Sequence, residues 1–275
     1  MNRSALWIAA FVFPALAGCA ALDRDANADA IARPAGLRRM VMKTEPFVLT
    51  TFARIRDPGQ PVTVYIEGDG LAWLSRTEVS RDPTPKEALG LLLAAADPSP
   101  NVAYLARPCQ FTPRDRNPVC DFPYWTGKRF APEVVRSVGE AIGLIAAQTP
   151  GQKVHLVGYS GGGAVAVLVA AERDDVASIR TVAGNLDHAE VNRLGRVSPL
   201  SGSLNPIDAA ARVAHIPQIH FAGSSDTVVP PAIAERFRRA SGSPCVSIRI
   251  VAGNTHEDGW RLRWPALLGE SPACR

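Results

Sequence analysis

Seven short runs rich in β-branched and aromatic residues recur along the chain, and longer stretches with helical spacing separate most of them. The runs are 47–55, 62–67, 102–105, 154–158, 179–183, 218–222 and 246–251. Several are apolar without a break, as a strand buried on both faces of a parallel sheet requires. Helical spacing falls at 85–96, 132–148, 161–172, 207–214, 230–240 and 259–268. Proline in the first turn of several of these presets the helical φ and sacrifices no hydrogen bond there. Within 132–148, Val134, Val135, Val138, Ile142, Ile145 and Ala146 share one helical face. This alternation predicts an α/β fold, a mostly parallel sheet with helices on both faces.

Two segments break the rhythm. Residues 107–129 are proline-rich and hold Tyr124 and Trp125, and residues 187–205 are rich in Ser, Gly and Asn. Both follow the C-terminal ends of expected strands, the edge at which open α/β sheets bind ligands. Aromatic and cationic side chains there (Tyr124, Trp125, Lys128, Arg129, with Arg107 and Trp73 nearby) suit either a substrate pocket or simple packing. The chain is 47% hydrophobic, enough for a sizeable core, which excludes a disordered protein. Its formal charge of +4 is small and scattered, which argues against a nucleic-acid partner.

Residues 1–18 place Arg3 ahead of an apolar run ending in small residues, the layout of a secretory signal too short to span a bilayer. Leu16-Ala17-Gly18-Cys19 resembles the lipobox of bacterial lipoproteins. That resemblance implies cleavage before Cys19, acyl chains on its thiol and amine, and stable membrane anchoring through Cys19. Ala20, rather than Asp, follows the cysteine, which by the same resemblance implies the outer membrane, facing the periplasm. Residues 19–45 then read as a tether, with the folded domain at 46–275. The remaining cysteines, Cys109, Cys120, Cys245 and Cys274, are even in number, as exported proteins favour. Of three possible pairings, Cys109–Cys120 closes a short proline-rich loop, and Cys245–Cys274 would then pin the C-terminus. No cysteine or histidine spacing suggests a metal site.

The chemistry concentrates in three places. Gly158-Tyr-Ser160-Gly161-Gly162 lies between an apolar run and a small-residue helix, the context of a nucleophile elbow. The helix start beneath Ser160 would offer free amides and a positive dipole end. Asp226 follows the run at 218–222, and His256 follows the run at 246–251. Ser160, Asp226 and His256 would therefore meet at one edge of the sheet as nucleophile, orienting acid and general base. Asp187 is a rival acid. His188, His155, His220 and His215 suit the base less well, lying after the wrong strand, within strands or near a helix end. Glu257 and Asp258 sit too close to His256 in sequence to orient it.

These three loops, Gly-Tyr-Ser-Gly-Gly, Gly-Ser-Ser-Asp-Thr-Val-Val-Pro and Asn-Thr-His, in this order, resemble the α/β-hydrolase superfamily over roughly residues 46–270. The resemblance implies an α/β-hydrolase-like sheet and a cofactor-free, metal-free serine hydrolase acting on a small-molecule or lipid ester, or on a thioester or amide, with a peptidase also possible. An acyltransferase or a non-catalytic binding lipoprotein would share the fold. It also implies an oxyanion hole from the Gly161 amide and one amide of the loop after 62–67. The superfamily usually has His-Gly there, whereas this chain has Glu67-Gly68. Asp69 is the expected second donor, with Gly70 and Leu71 as alternatives.

Overall fold

The computed structural model describes residues 23–274. The expected signal sequence (1–18) and the expected lipidation site Cys19 lie outside the described residues. The strands are β1 (Arg38–Lys43), β2 (Val48–Ile55), β3 (Val62–Ile66), β4 (Asn101–Leu105), β5 (Val154–Tyr159), β6 (Val176–Val182), β7 (Gln218–Gly223) and β8 (Val246–Val251). The helices are α1 (Arg24–Ala32), α2 (Leu89–Ala95), α3 (Pro132–Ala146), α4 (Gly161–Ala170), α5 (His188–Gly195), α6 (Pro231–Ser241) and α7 (Trp260–Leu268). All eight strands form one sheet in the order β1-β2-β4-β3-β5-β6-β7-β8. β2 runs antiparallel to both β1 and β4, and the other pairings are parallel.

Period-two alternation divides the core. Val62, Val64 and Ile66 of β3, with Ala103 and Leu105 of β4, face the cluster built by α3, α4 and α6. Tyr65, Val102 and Tyr104 face the opposite cluster, built by α1, α2 and α7. In α3 the expected stripe is real: Val134, Val135, Val138, Ile142 and Ile145 are each at most 1% exposed. Burying a side chain of this kind contributes roughly 1.5–3 kcal/mol. Both expected disulfides, Cys109–Cys120 and Cys245–Cys274, are formed.

The tether reading fails for residues 23–45. Asp23 caps α1 by accepting the amides of Asp25 and Ala26, and Ala28 and Ala32 are buried against the second cluster. Arg39 of β1 reaches back to Asp25 (2.7 Å) and Asp29 (2.9 Å). Among the described residues, packed structure therefore includes α1 and β1, ahead of residue 46. Two smaller corrections concern helices. Residues 187–205 contain α5, and the helix expected at 207–214 is a 3-10 turn at Pro206–Ala209 followed by further turns. α2 starts at Leu89, where the buried Glu67 carboxylate accepts the Gly90 amide (3.1 Å) and so occupies one of the helix's free N-terminal donors.

Candidate active site

Close backbone approach builds the elbow. A Cβ on Gly158 would lie 2.3 Å from the Gly162 carbonyl oxygen, and one on Gly162 would lie 2.2 Å from that of Ile66. Only glycine lets β5, α4 and the end of β3 pass at this range. Ser160, between β5 and α4, sits at φ +50° and ψ −118°, a conformation costly for a side chain and concentrated at functional sites. Its backbone is held on both sides: its amide donates to Val182 O, and its carbonyl accepts from Gly163 and Asn185.

The acid and base arrive on neighbouring strands. A Cβ on Gly223, the last residue of β7, would lie 2.4 Å from Asn254 O, so the loops after β7 and β8 are in van der Waals contact. His256 Nδ1 is 2.9 Å from Asp226 Oδ2, and His256 Nε2 is 2.9 Å from Ser160 Oγ. A carboxylate only accepts, so Nδ1 carries a proton, and in the neutral ring the Nε2 lone pair faces the hydroxyl. The other Asp226 oxygen accepts the amides of Val228 (2.9 Å) and Val229 (2.8 Å), which fixes the buried carboxylate. Trp260 Nε1 donates to the His256 carbonyl and steadies the base loop.

The oxyanion-loop candidates can be separated by their hydrogen bonds. Gly68 N–H donates to Glu67 Oε1 (2.9 Å), and Leu71 N–H donates to Pro83 O (3.0 Å). Leu71 is therefore not a free donor. The amides of Asp69 and Gly70 donate to nothing among the described residues. Gly70 packs against Pro83 O and Gln110, whereas the Asp69 side chain packs on Gly161: a Cβ there would be 2.1 Å from Asp69 Oδ1. The Gly161 amide, at the first position of α4, is likewise unspent.

The Asp69 carboxylate does not stand alone beside this opening. Arg107 Nη1 donates to Oδ1 (3.2 Å) and Arg129 Nη1 to Oδ2 (2.7 Å). Burial alone would raise the Asp69 pKa, but the two guanidinium groups, Arg129 foremost, bring it below the usual carboxylate value. Arg107 also donates to Arg129 O, which ties the clamp together. The sequence offers no signal for this arrangement, since Asp69 and Arg129 are 60 residues apart. Glu67, the departure from the usual His, is fully buried and serves the fold, bonding the Gly68 and Gly90 amides. Burial raises its pKa, partly offset by those amides.

The two irregular segments are tied to each other. Gly202 N–H donates to Gly127 O, Leu204 N–H to Phe130 O, and Phe130 N–H to Ser203 Oγ. Trp125 and Tyr124 belong to packing: Trp125 Nε1 donates to Ser80 O, and Tyr124 sits edge-on to Phe47. The rival acid Asp187 is used elsewhere, capping α5 and bonding Asn205 and Arg236. His155 and His220 bond Ser178 and Thr181 within the sheet, and His188 is buried beside Phe130. Asp258 bonds Thr255, not His256.

No family model matches the chain, and no curated protein matches it. Solved structures do. An esterase from Pyrococcus furiosus is 12% identical and superposes with a TM-score of 0.62 over 86% of this chain and 92% of its own. Est1E from Butyrivibrio proteoclasticus is 14% identical, with a TM-score of 0.57 over 83% of this chain and 95% of its own. Puromycin hydrolase is 17% identical, with a TM-score of 0.59 over 82% of this chain. The chain spans only 36% of puromycin hydrolase's length. With the sheet order and the elbow, these likenesses place the chain in the α/β-hydrolase fold.

Proposed function

We propose that this chain is a serine hydrolase that cleaves carboxylic esters through an acyl-enzyme on Ser160. The observation that carries the reading is the unbroken Ser160–His256–Asp226 relay, two contacts of 2.9 Å from three strand ends. His256 Nε2 takes the hydroxyl proton as Ser160 Oγ bonds to the substrate carbonyl carbon, while Asp226 stabilises the imidazolium. The carbonyl oxygen becomes an oxyanion, received by the free amides of Gly161 and Asp69. Collapse of the tetrahedral intermediate breaks the acyl–oxygen bond, and His256 gives its proton to the departing alkoxide. Water, deprotonated by the same imidazole, then attacks the acyl carbon; the Ser160 Oγ–acyl bond breaks, and His256 returns the proton to Oγ, releasing the acid and free Ser160. Solved esterases that match over nearly their whole length support ester cleavage as the first activity to test. A panel of esters graded by acyl length tests it. Wild type turns over at least one member, and Ser160→Ala loses about 10³-fold or more in kcat. Equal turnover by the two proteins would refute the assignment.

We also infer that Cys19 is acylated and holds the enzyme on the outer membrane facing the periplasm, on the strength of Leu16-Ala17-Gly18-Cys19 and Ala20. Metabolic labelling with a fatty-acid analogue should mark the wild type and miss Cys19→Ser. Equal labelling of both would refute this address.

A further inference from the structure

At the end of the sheet opposite the triad lies a cavity of about 830 Å³ whose lining is dominated by arginine. Its position follows from the pairing: Arg54 and Ile55 face Val102 and Asn101, the first residues of β4, while Ser160 follows the last residue of β5. Arg33, Arg38, Arg39, Arg54 and Arg56 line it, against a single lining acid, Asp29. These side chains come from the residue after α1, from β1 and from the end of β2 with the residue after it, so the fold and not a local run of sequence gathers them.

The charges are unevenly matched. Arg39 is spoken for by Asp25 and Asp29. Arg33, Arg38 and Arg56 are exposed and have no carboxylate within 4 Å among the described residues. Arg54 lies beneath them, 8% exposed, and donates only to the backbone carbonyls of Ala35, Asp97 and Ser99, while its Nε has no partner. Burial and the neighbouring charge of Arg56 both lower its pKa, against a weaker pull from Asp97. A buried cation with like charge above it and no ion pair is a costly arrangement unless an anion completes it. Gly36 adds a shaped floor. Its φ is +71°, and a Cβ there would lie 3.2 Å from Arg56 Nη2 and 3.7 Å from Arg54 Cδ. Its lack of a side chain leaves the space across the turn to the two arginines.

Guanidinium groups are planar forks that grip phosphate oxygens two at a time. We propose that this cavity is a binding site for a polyanion bearing at least two phosphate groups. A single phosphate would engage only part of a guanidinium set spread over three elements. The bisphosphate headgroup of an anionic lipid and a free condensed phosphate carry the same chemistry. The site is separate from the triad, so it stands whether or not the chain hydrolyses esters.

The test titrates the full chain with inorganic tripolyphosphate by calorimetry at low ionic strength. In parallel, its cosedimentation is compared on vesicles of phosphatidylcholine alone and of phosphatidylcholine with cardiolipin. The Arg38→Gln/Arg56→Gln double variant is run beside it. Both side chains are exposed and bond nothing among the described residues, so the variant should keep the wild-type unfolding transition. The site predicts salt-sensitive binding of tripolyphosphate whose Kd rises about tenfold or more in the variant. Binding of tripolyphosphate without a preference for cardiolipin vesicles identifies the free condensed phosphate as the source. A cardiolipin preference lost in the variant identifies the headgroup. Absence of binding to both probes overturns the proposal, and so does binding that the double variant leaves intact.

Discussion

At Asp69 one residue offers the reaction a helpful group and a harmful one. Its amide is free to receive an oxyanion, while its carboxylate packs on Gly161 with Oδ1 at the space a Cβ would fill. An unpaired negative charge there would oppose the charge that develops on the carbonyl oxygen. Arg107 and Arg129 neutralise it and fix both of its oxygens. Arg129→Gln should therefore lower kcat by roughly 10–100-fold with little change in KM, because the repulsion is felt mainly in the transition state. Asp69→Asn in the same chain removes the offending charge and should return most of the loss. Steady-state kinetics on the single and double variants decide it. A double variant as slow as Arg129→Gln would mean that the clamp serves only to hold the loop. The meeting of Ser160, His256 and Asp226 was legible in the sequence, since each follows an apolar run and the turn at Ser160 demands its glycines at fixed spacing. The clamp was not, because its partners meet only after residues 107–129 have folded back over the loop at Asp69.

Among the elements, those missed in sequence bury little large apolar surface. α1 buries only Ala28 and Ala32, and β1 buries only Met42, so neither shows an apolar stripe. α5 buries His188 alone among its residues. By contrast, every residue of β4 is buried, and such a run reads as a strand at once. The alanines of α1 nonetheless fix it to the domain: small side chains let the helix approach α2 closely. Ala32 is 1% exposed, so Ala32→Leu must push into packed neighbours and should destabilise the domain by about 1–3 kcal/mol. Urea unfolding of the two proteins measures it. No change in midpoint would restore the tether reading for this segment.

Across the whole molecule, buried histidines link stability to pH. His220 of β7 is 1% exposed, bonds Thr181 Oγ1 and lies edge-on to Phe237. Burial depresses its pKa from 6.5 to about 3. The unfolded chain therefore takes up a proton near pH 6.5 that the folded chain refuses until near pH 3. The stability His220 contributes as a neutral ring is fully present above pH 6.5 and is lost as pH falls through this window, at up to about 1.4 kcal/mol per pH unit. His220→Gln, which keeps a polar partner for Thr181, should flatten the slope of unfolding free energy against pH between 6 and 4 by about that amount. An unchanged slope would show that the ring is not held neutral. The sheet order sets the loops after β5, β7 and β8 at one edge, where Ser160, His256 and Asp226 meet, and the proposed function rests on Ser160 acting there as a nucleophile. The most direct measurement is intact-mass analysis after treatment with a fluorophosphonate. One adduct on Ser160, absent from Ser160→Ala, is the predicted result, whereas a folded, oxidised protein that takes up no label would contradict the catalytic assignment.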